Sequence, residues 1–148
     1  MDAVTHSNEE VIRLMNDLFV PVRIDSSRES GISKLYRVES TPTYVAIDSR
    51  KKEHFRWSGF SNPEDFSQTL RLMSAAAAID RRSYDFAIEM LSSIVDSPSS
   101  PSTPDALYLL GVARYKKSGD FQQAVDQWRR LKLSYPDHPL IKKVNYAL

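Results

Sequence analysis

The 148-residue chain carries 20 Lys and Arg against 19 Asp and Glu, a net charge of +1, with 41% hydrophobic and 26% charged residues and no cysteine. This is the composition of an ordinary globular protein of one domain or two small ones. The charge argues against a dedicated nucleic-acid or membrane-surface binder. The missing cysteines exclude disulfides, thiolate nucleophiles and cysteine-held metals.

No run approaches the roughly 18 apolar residues of a membrane span. The opening residues have neither a basic region nor an apolar core, so no signal peptide is visible and a cytoplasmic location is the expectation. Ser7-Asn8-Glu9-Glu10 reads as a capping box with Ser7 as cap. Val11, Ile12, Leu14, Met15 and Leu18 follow at helical spacing, and the helix ends near Leu18. Residues 19–25, Phe-Val-Pro-Val-Arg-Ile-Asp, read as a strand, demoted toward a sheet edge by Pro21. A second helix is predicted over 28–36, with Ile32, Leu35 and Tyr36 inward.

Ser40-Thr41-Pro42 then leads into Thr43-Tyr44-Val45-Ala46-Ile47, which reads as a buried strand. A charged turn, Ser49-Arg50-Lys51-Lys52, joins it to Glu53-His54-Phe55-Arg56-Trp57-Ser58. The two runs form a hairpin with Phe55 and Trp57 on one face. Asn62-Pro63-Glu64 opens the next helix. Its apolar stripe is Phe66, Leu70, Met73 and Ala77.

The order helix, strand, helix, hairpin, helix over residues 1–74 resembles the second part of a thioredoxin fold. The wording is similar to a bacterial thioredoxin-like group with C-terminal helical repeats. The resemblance implies a cis peptide bond before Pro42. It also implies an extended-peptide site at Thr41, Pro42 and Thr43. The strand that leads to the paired cysteines, and the cysteines themselves, are absent from this sequence. An incomplete, N-terminally truncated thioredoxin-like domain without redox activity is therefore the expectation, with a natural reading frame that begins upstream of Met1. The sheet would have to pair 20–24 directly with 44–47, recruit a strand from another copy, or stay partly unfolded.

Residues 75–148 read as all-α. Ala75-Ala76-Ala77-Ala78 favours helix, and Arg81-Arg82-Ser83 ends it. Tyr84, Ala87, Leu91 and Ile94 mark the next helix. The Ser/Pro stretch 97–104 reads as a linker stiffened by prolines, with Thr103 as the following cap. Leu107, Leu110, Gly111 and Tyr115 form an inner stripe. Asp120 and Gln123 suggest a capping box, and Ala124, Trp128 and Leu131 continue one face until Pro136. The spacing of Tyr84, Ala87, Leu91 and Ile94 repeats in Phe121, Ala124, Trp128 and Leu131, offset by little more than the about 34 residues of a tetratricopeptide repeat. The second unit resembles that family, with Gly111 and Ala124 allowing close approach of two helices. A last helix carrying Leu140, Ile141, Val144 and Leu148 covers the open end.

Two functional readings follow. One is a thioredoxin-like protein that retains peptide binding at Thr41, Pro42 and Thr43. The other is an adaptor whose repeat groove is lined by Asp105, Tyr108, Val112 and Lys116, on the face of their helix away from the packing stripe. Both take a protein or extended peptide as partner. Neither involves nucleic acid, a membrane, a metal or a cofactor. His6, His54 and His138 have no ligand spacing, and Asp25 reads as a helix cap rather than a base.

Overall fold

The computed structural model describes residues 5–97 and 100–148. Helix α1 (Glu9–Leu18) starts one residue later than its capping box suggests. Asn8 is the cap, and its Oδ1 accepts the N–H groups of Glu10 (3.0 Å) and Val11 (3.2 Å). Asn and Ser cap about equally well, so two adjacent candidates leave the start ambiguous by one residue. The turn before α1 is tied down: the Thr5 hydroxyl donates to the Ser61 carbonyl (2.8 Å), and His6 Nε2 lies 2.8 Å from the Tyr44 hydroxyl.

The strand expected at 19–25 does not form. Val20 and Val22 are 91% and 77% exposed, and the sheet found among the described residues has two strands, neither of them this one. The expected direct pairing of 20–24 with 44–47 is likewise absent. β-propensity describes side chains that suit a pleated surface, and it does not supply a partner for the ladder. Pro21 removes a donor as well. Asp25 closes an Asx turn, its Oδ1 accepting the Ser27 N–H (2.9 Å) and hydroxyl (2.6 Å), and does not cap a helix. Helix α2 (Ser30–Leu35) is shorter than predicted, and Leu35, expected inward, is exposed.

Strands β1 (Thr43–Ile47) and β2 (Glu53–Ser58) pair antiparallel, Tyr44 opposite Trp57 and Ala46 opposite Phe55, with a register shift between Ala46 and Ile47. The Thr41–Pro42 peptide bond is cis. β1 is less buried than its composition suggests, with only Ala46 fully enclosed. One face of the hairpin packs on helix α3 (Pro63–Asp80): the Phe66 ring lies 4.7 Å from Tyr44 and 6.2 Å from Trp57, centroid to centroid.

Helix α3 is the spine of the molecule. Asn62 caps it by accepting the Asp65 N–H (2.8 Å), and Pro63 occupies its first turn. The expected single stripe is two faces. Phe66 and Leu70 form one core with Val11 and Leu14 of α1. Leu72, Ala75, Ala78 and Ile79 form another with helices α4 (Tyr84–Val95) and α5 (Thr103–Ser118). Met73 is buried, whereas Ala77 is only half-buried. The helix runs through Ser74 and Ala75, the expected boundary between the 1–74 and 75–148 regions, without interruption. It ends where Arg82 takes a left-handed φ of 63° and the Ser83 N–H bonds the Ala78 carbonyl.

The Ser/Pro stretch is less open than its composition suggests. Pro98 and Ser99 lie outside the described residues, but Ser100 and Ser102 are buried, and the Ser100 Oγ accepts the Ser102 N–H (3.2 Å). Thr103 does not cap: it is the first residue of α5, and its Oγ1 is buried without a hydrogen bond. Helix α5 ends at Gly119 (φ 77°), whose N–H returns to the Tyr115 carbonyl (2.8 Å). Helix α6 (Gln122–Ser134) starts after Asp120, whose Oδ1 accepts the Gln122 N–H (3.0 Å), so Asp120 closes a turn rather than a capping box with Gln123. The expected terminal helix is split into a short α7 (Ile141–Val144) and a 3-10 turn (Asn145–Ala147). Ile141 and Val144 are nevertheless buried, and Leu148 packs on the cluster around Trp128.

Candidate peptide-binding surfaces

The α5–α6 seam is built around a missing side chain. A Cβ placed on Gly111 would lie 2.7 Å from Trp128 Nε1 and 3.1 Å from the Ala124 carbonyl oxygen, so only glycine admits the indole here. The indole N–H donates to the Tyr108 carbonyl (3.1 Å), and the Tyr108 ring stacks on it at 6.0 Å and 16°. Phe121 meets Trp128 edge-on, and Tyr115 meets Phe121 edge-on. Tyr115, expected in the inner stripe, is 41% exposed, its ring against Phe121. Ala87, Leu91 and Ile94 in α4 are as deeply buried as Ala124, Trp128 and Leu131 in α6, in keeping with the repeated spacing.

The four residues expected along the groove do not share one free face. Lys116 is exposed and Asp105 is half-buried. Tyr108 and Val112 are engaged in packing: both lie against the Trp128 cluster, and Val112 also lies against the α3–α4–α5 core. Burial pushes the Asp105 carboxyl above its ordinary value, while His138 and Lys143 act in the opposite direction. Lys143 also sits 6.0 Å over the Tyr108 ring. Asp105, Tyr108, His138 and Lys143 thus form a half-enclosed polar corner between α5 and α7.

The second expected surface is the proline loop. Thr41 is exposed, and Pro42 and Thr43 are half-buried. The Pro42 carbonyl accepts the Gly59 N–H (2.9 Å), which ties the loop to the end of β2. The Thr43 hydroxyl donates to the Ser40 carbonyl (2.6 Å) and lies 2.8 Å from the Ser58 Oγ.

Sequence reasoning missed one polar cluster. His54, with a side chain only 3% exposed, lies 2.7 Å from Asp80 and 3.1 Å from Asp48 through its two ring nitrogens. Lys52 Nζ adds a 2.9 Å bond to the same Asp80 oxygen. The Lys52 N–H chiefly holds the Asp48 carboxyl below its ordinary value, and Lys52 Nζ does the same for Asp80. Held through both ring nitrogens, His54 clamps the hairpin to the end of α3. The separation of Asp48 and Asp80 in sequence left no signal for it. Among the described residues no group of three His, Cys, Asp or Glu side chains is arranged to hold a metal ion.

A tetratricopeptide repeat family model matches residues 105–138, which covers most of α5, all of α6 and the turn after it. No curated protein and no solved structure matches the chain. Among the described residues no helix is long and apolar enough to cross a membrane.

Proposed function

We propose that this chain is a protein-binding adaptor: tetratricopeptide-like helical hairpins on a thioredoxin-like α/β layer that has no thiol chemistry of its own. The observation that carries the reading is the α5–α6 hairpin, where the matched repeat coincides with the Gly111–Trp128 seam. Repeats of this kind bind protein or peptide segments along helical faces. Asp105 adds to it. A half-buried carboxylate pushed above its ordinary pKa costs stability, and such costs concentrate at binding and catalytic positions. With Lys116 exposed three turns further along α5, the face suits an extended segment that brings a cation to Asp105 and an acid to Lys116.

The proline loop supports the second reading. The open edge of β1 beside it fits the extended-peptide docking that the thioredoxin-like resemblance implies for Thr41, Pro42 and Thr43. Without cysteine, binding there is not followed by thiol–disulfide exchange.

A peptide selected on the intact chain separates the two. Its affinity is measured on Asp105→Lys, Lys116→Glu and Thr43→Pro variants. Loss with the first two and retention with the third assigns binding to α5, and the reverse assigns it to the proline loop. Unchanged affinity in all three overturns both.

A further inference from the structure

In two stretches of the α/β half, alternate residues have backbone N–H and C=O groups without partners among the described residues. The Pro42 carbonyl and the Asp48 N–H both bond toward β2, to Gly59 (2.9 Å) and Lys52 (3.0 Å). Residues that face the partner alternate with residues that face away in an antiparallel pair. The N–H and C=O groups of Thr43 and Val45 therefore point to the other side of β1. Among the described residues no strand pairs with that side. The run Thr43-Tyr44-Val45-Ala46-Ile47 carries no charge or proline to blunt it. An open edge of this kind is a template for another chain.

The second stretch is residues 19–25. Phe19 leaves α1 with extended backbone (φ −139°, ψ 166°). Val20 and Val22 are 91% and 77% exposed, and Ile24 is exposed too. Among the described residues the backbone groups of Val20, Val22 and Ile24 have no hydrogen-bond partner. If these three face a ladder, Pro21, which has no N–H to offer, faces away from it. The run therefore has the length and the alternation that the edge of β1 requires, yet the two do not pair within one copy.

We propose that the β1 edge is covered by residues 20–24 of a second copy of this chain, and that reciprocal exchange makes a two-fold dimer. The argument for a second copy over an unrelated peptide is that both unmet needs reside in the same chain. A foreign strand would satisfy β1 and leave 20–24 exposed, whereas a second copy satisfies both at once, twice over, by symmetry. Each sheet gains a third strand, the number at which a small sheet becomes stable in its own right. The dimer would also occupy the backbone edge beside Thr43, leaving α5 as the surface free for other partners. The inference does not depend on what those partners are.

The absence of native cysteine makes the test clean. Val22→Cys and Val45→Cys chains are oxidised separately and mixed. Residues opposite one another in neighbouring strands have Cα atoms about 4.5–5.5 Å apart, within the roughly 4.4–6.8 Å that a disulfide spans. The mixture is expected to form a disulfide-linked dimer at least tenfold faster than either chain alone. Light scattering on the cysteine-free parent is expected to give twice the 16.9 kDa monomer mass. Val22→Pro removes a donor aimed at the edge from an exposed position, so it is expected to leave the helical circular dichroism intact and return the mass to that of a monomer. A synthetic peptide of residues 19–25 is expected to dissociate the parent dimer. A parent that stays monomeric at millimolar concentration overturns the proposal. So does a dimer that ignores both Val22→Pro and the peptide and gives no excess of mixed crosslink.

Discussion

Gly111 and Trp128 are two halves of one feature, and each constrains what can replace the other. Alanine on an exposed helix position is favoured over glycine by about 1 kcal/mol. At 111 the added methyl meets the indole at 2.7 Å, and the indole is held by Tyr108 on one side and Phe121 on the other. Overpacking of this sort costs roughly 1–3 kcal/mol, so Gly111→Ala is expected to destabilise despite its gain in helix propensity. Trp128→Ala removes the same contact from the other side. The loss of a buried aromatic costs about 3–5 kcal/mol. Urea unfolding of both variants checks this, and a change under about 1 kcal/mol for Trp128→Ala would mean that the seam contributes little beyond surface burial. Asp105 makes the opposite prediction. A carboxyl whose folded pKa is raised holds its proton more tightly in the folded chain than in the unfolded one. That interaction therefore destabilises the fold as pH rises through the unfolded value and on through the folded one. Asp105→Asn should unfold at higher urea than the parent at pH 7, and the gap should close well below about pH 4, where an unfolded Asp is also neutral. A lower midpoint at pH 7 would mean that the attraction of Asp105 to the start of α5 outweighs its burial.

At the scale of elements, residues 19–25 are the exposed backbone and α3 to α6 the protected one. Trypsin has no site in the 97–104 stretch, which contains neither Lys nor Arg. In the single chain, as in the Val22→Pro variant, the first cut is expected after Arg23, in an exposed stretch outside regular structure, well before any cut after Arg71, which is helical and paired with Glu10 at 2.8 Å. Mass spectrometry of the early fragments checks it, and initial cleavage inside α3 would contradict the packing described. The same contrast explains what was legible in the sequence. The 3.6-residue spacing in α1, α3, α5 and α6 and the alternation in β2 are local signals, and those elements appear within a residue or two of where they are predicted. The apolar alternation at Val20, Val22 and Ile24 is equally clear, but a strand exists only if another strand lies beside it, and no local pattern reports that. Tyr108 and Val112 are half-buried, more enclosed than the sequence suggests, for a related reason. Helical-wheel arithmetic assigns α5 an inside and an outside, while α5 is flanked by α4, α6 and the α7 turn, so its presumed outer face is largely occupied. Of the four residues read from the sequence as a groove, Lys116 is exposed and Asp105, Tyr108 and Val112 are half-buried.

For the whole molecule, the decisive feature is that α3 contributes to two cores. Phe66 and Leu70 belong with α1 and the hairpin, and Leu72, Ala75, Ala78 and Ile79 belong with α4 and α5. Phe55 of β2 reaches across to the helical core as well, and the His54 clamp fastens the hairpin to the last turn of α3. Melting either core therefore strips one side of a helix on which the other core depends. A chain of this length could have been two modules with separate melting points. The shared helix makes the expected behaviour all-or-none: one heat-absorption peak, with equal calorimetric and van't Hoff enthalpies, reported at the same temperature by tryptophan emission from Trp57 in the hairpin and from Trp128 in the repeat. Each tryptophan replaced in turn by phenylalanine gives the two probes separately. Two resolved peaks, or probes that part company, would show that the halves lose their order independently. If they melt together, a lesion in the seam at Trp128 is felt at Trp57, and any gain in stability that a partner confers by binding α5 is shared by the hairpin.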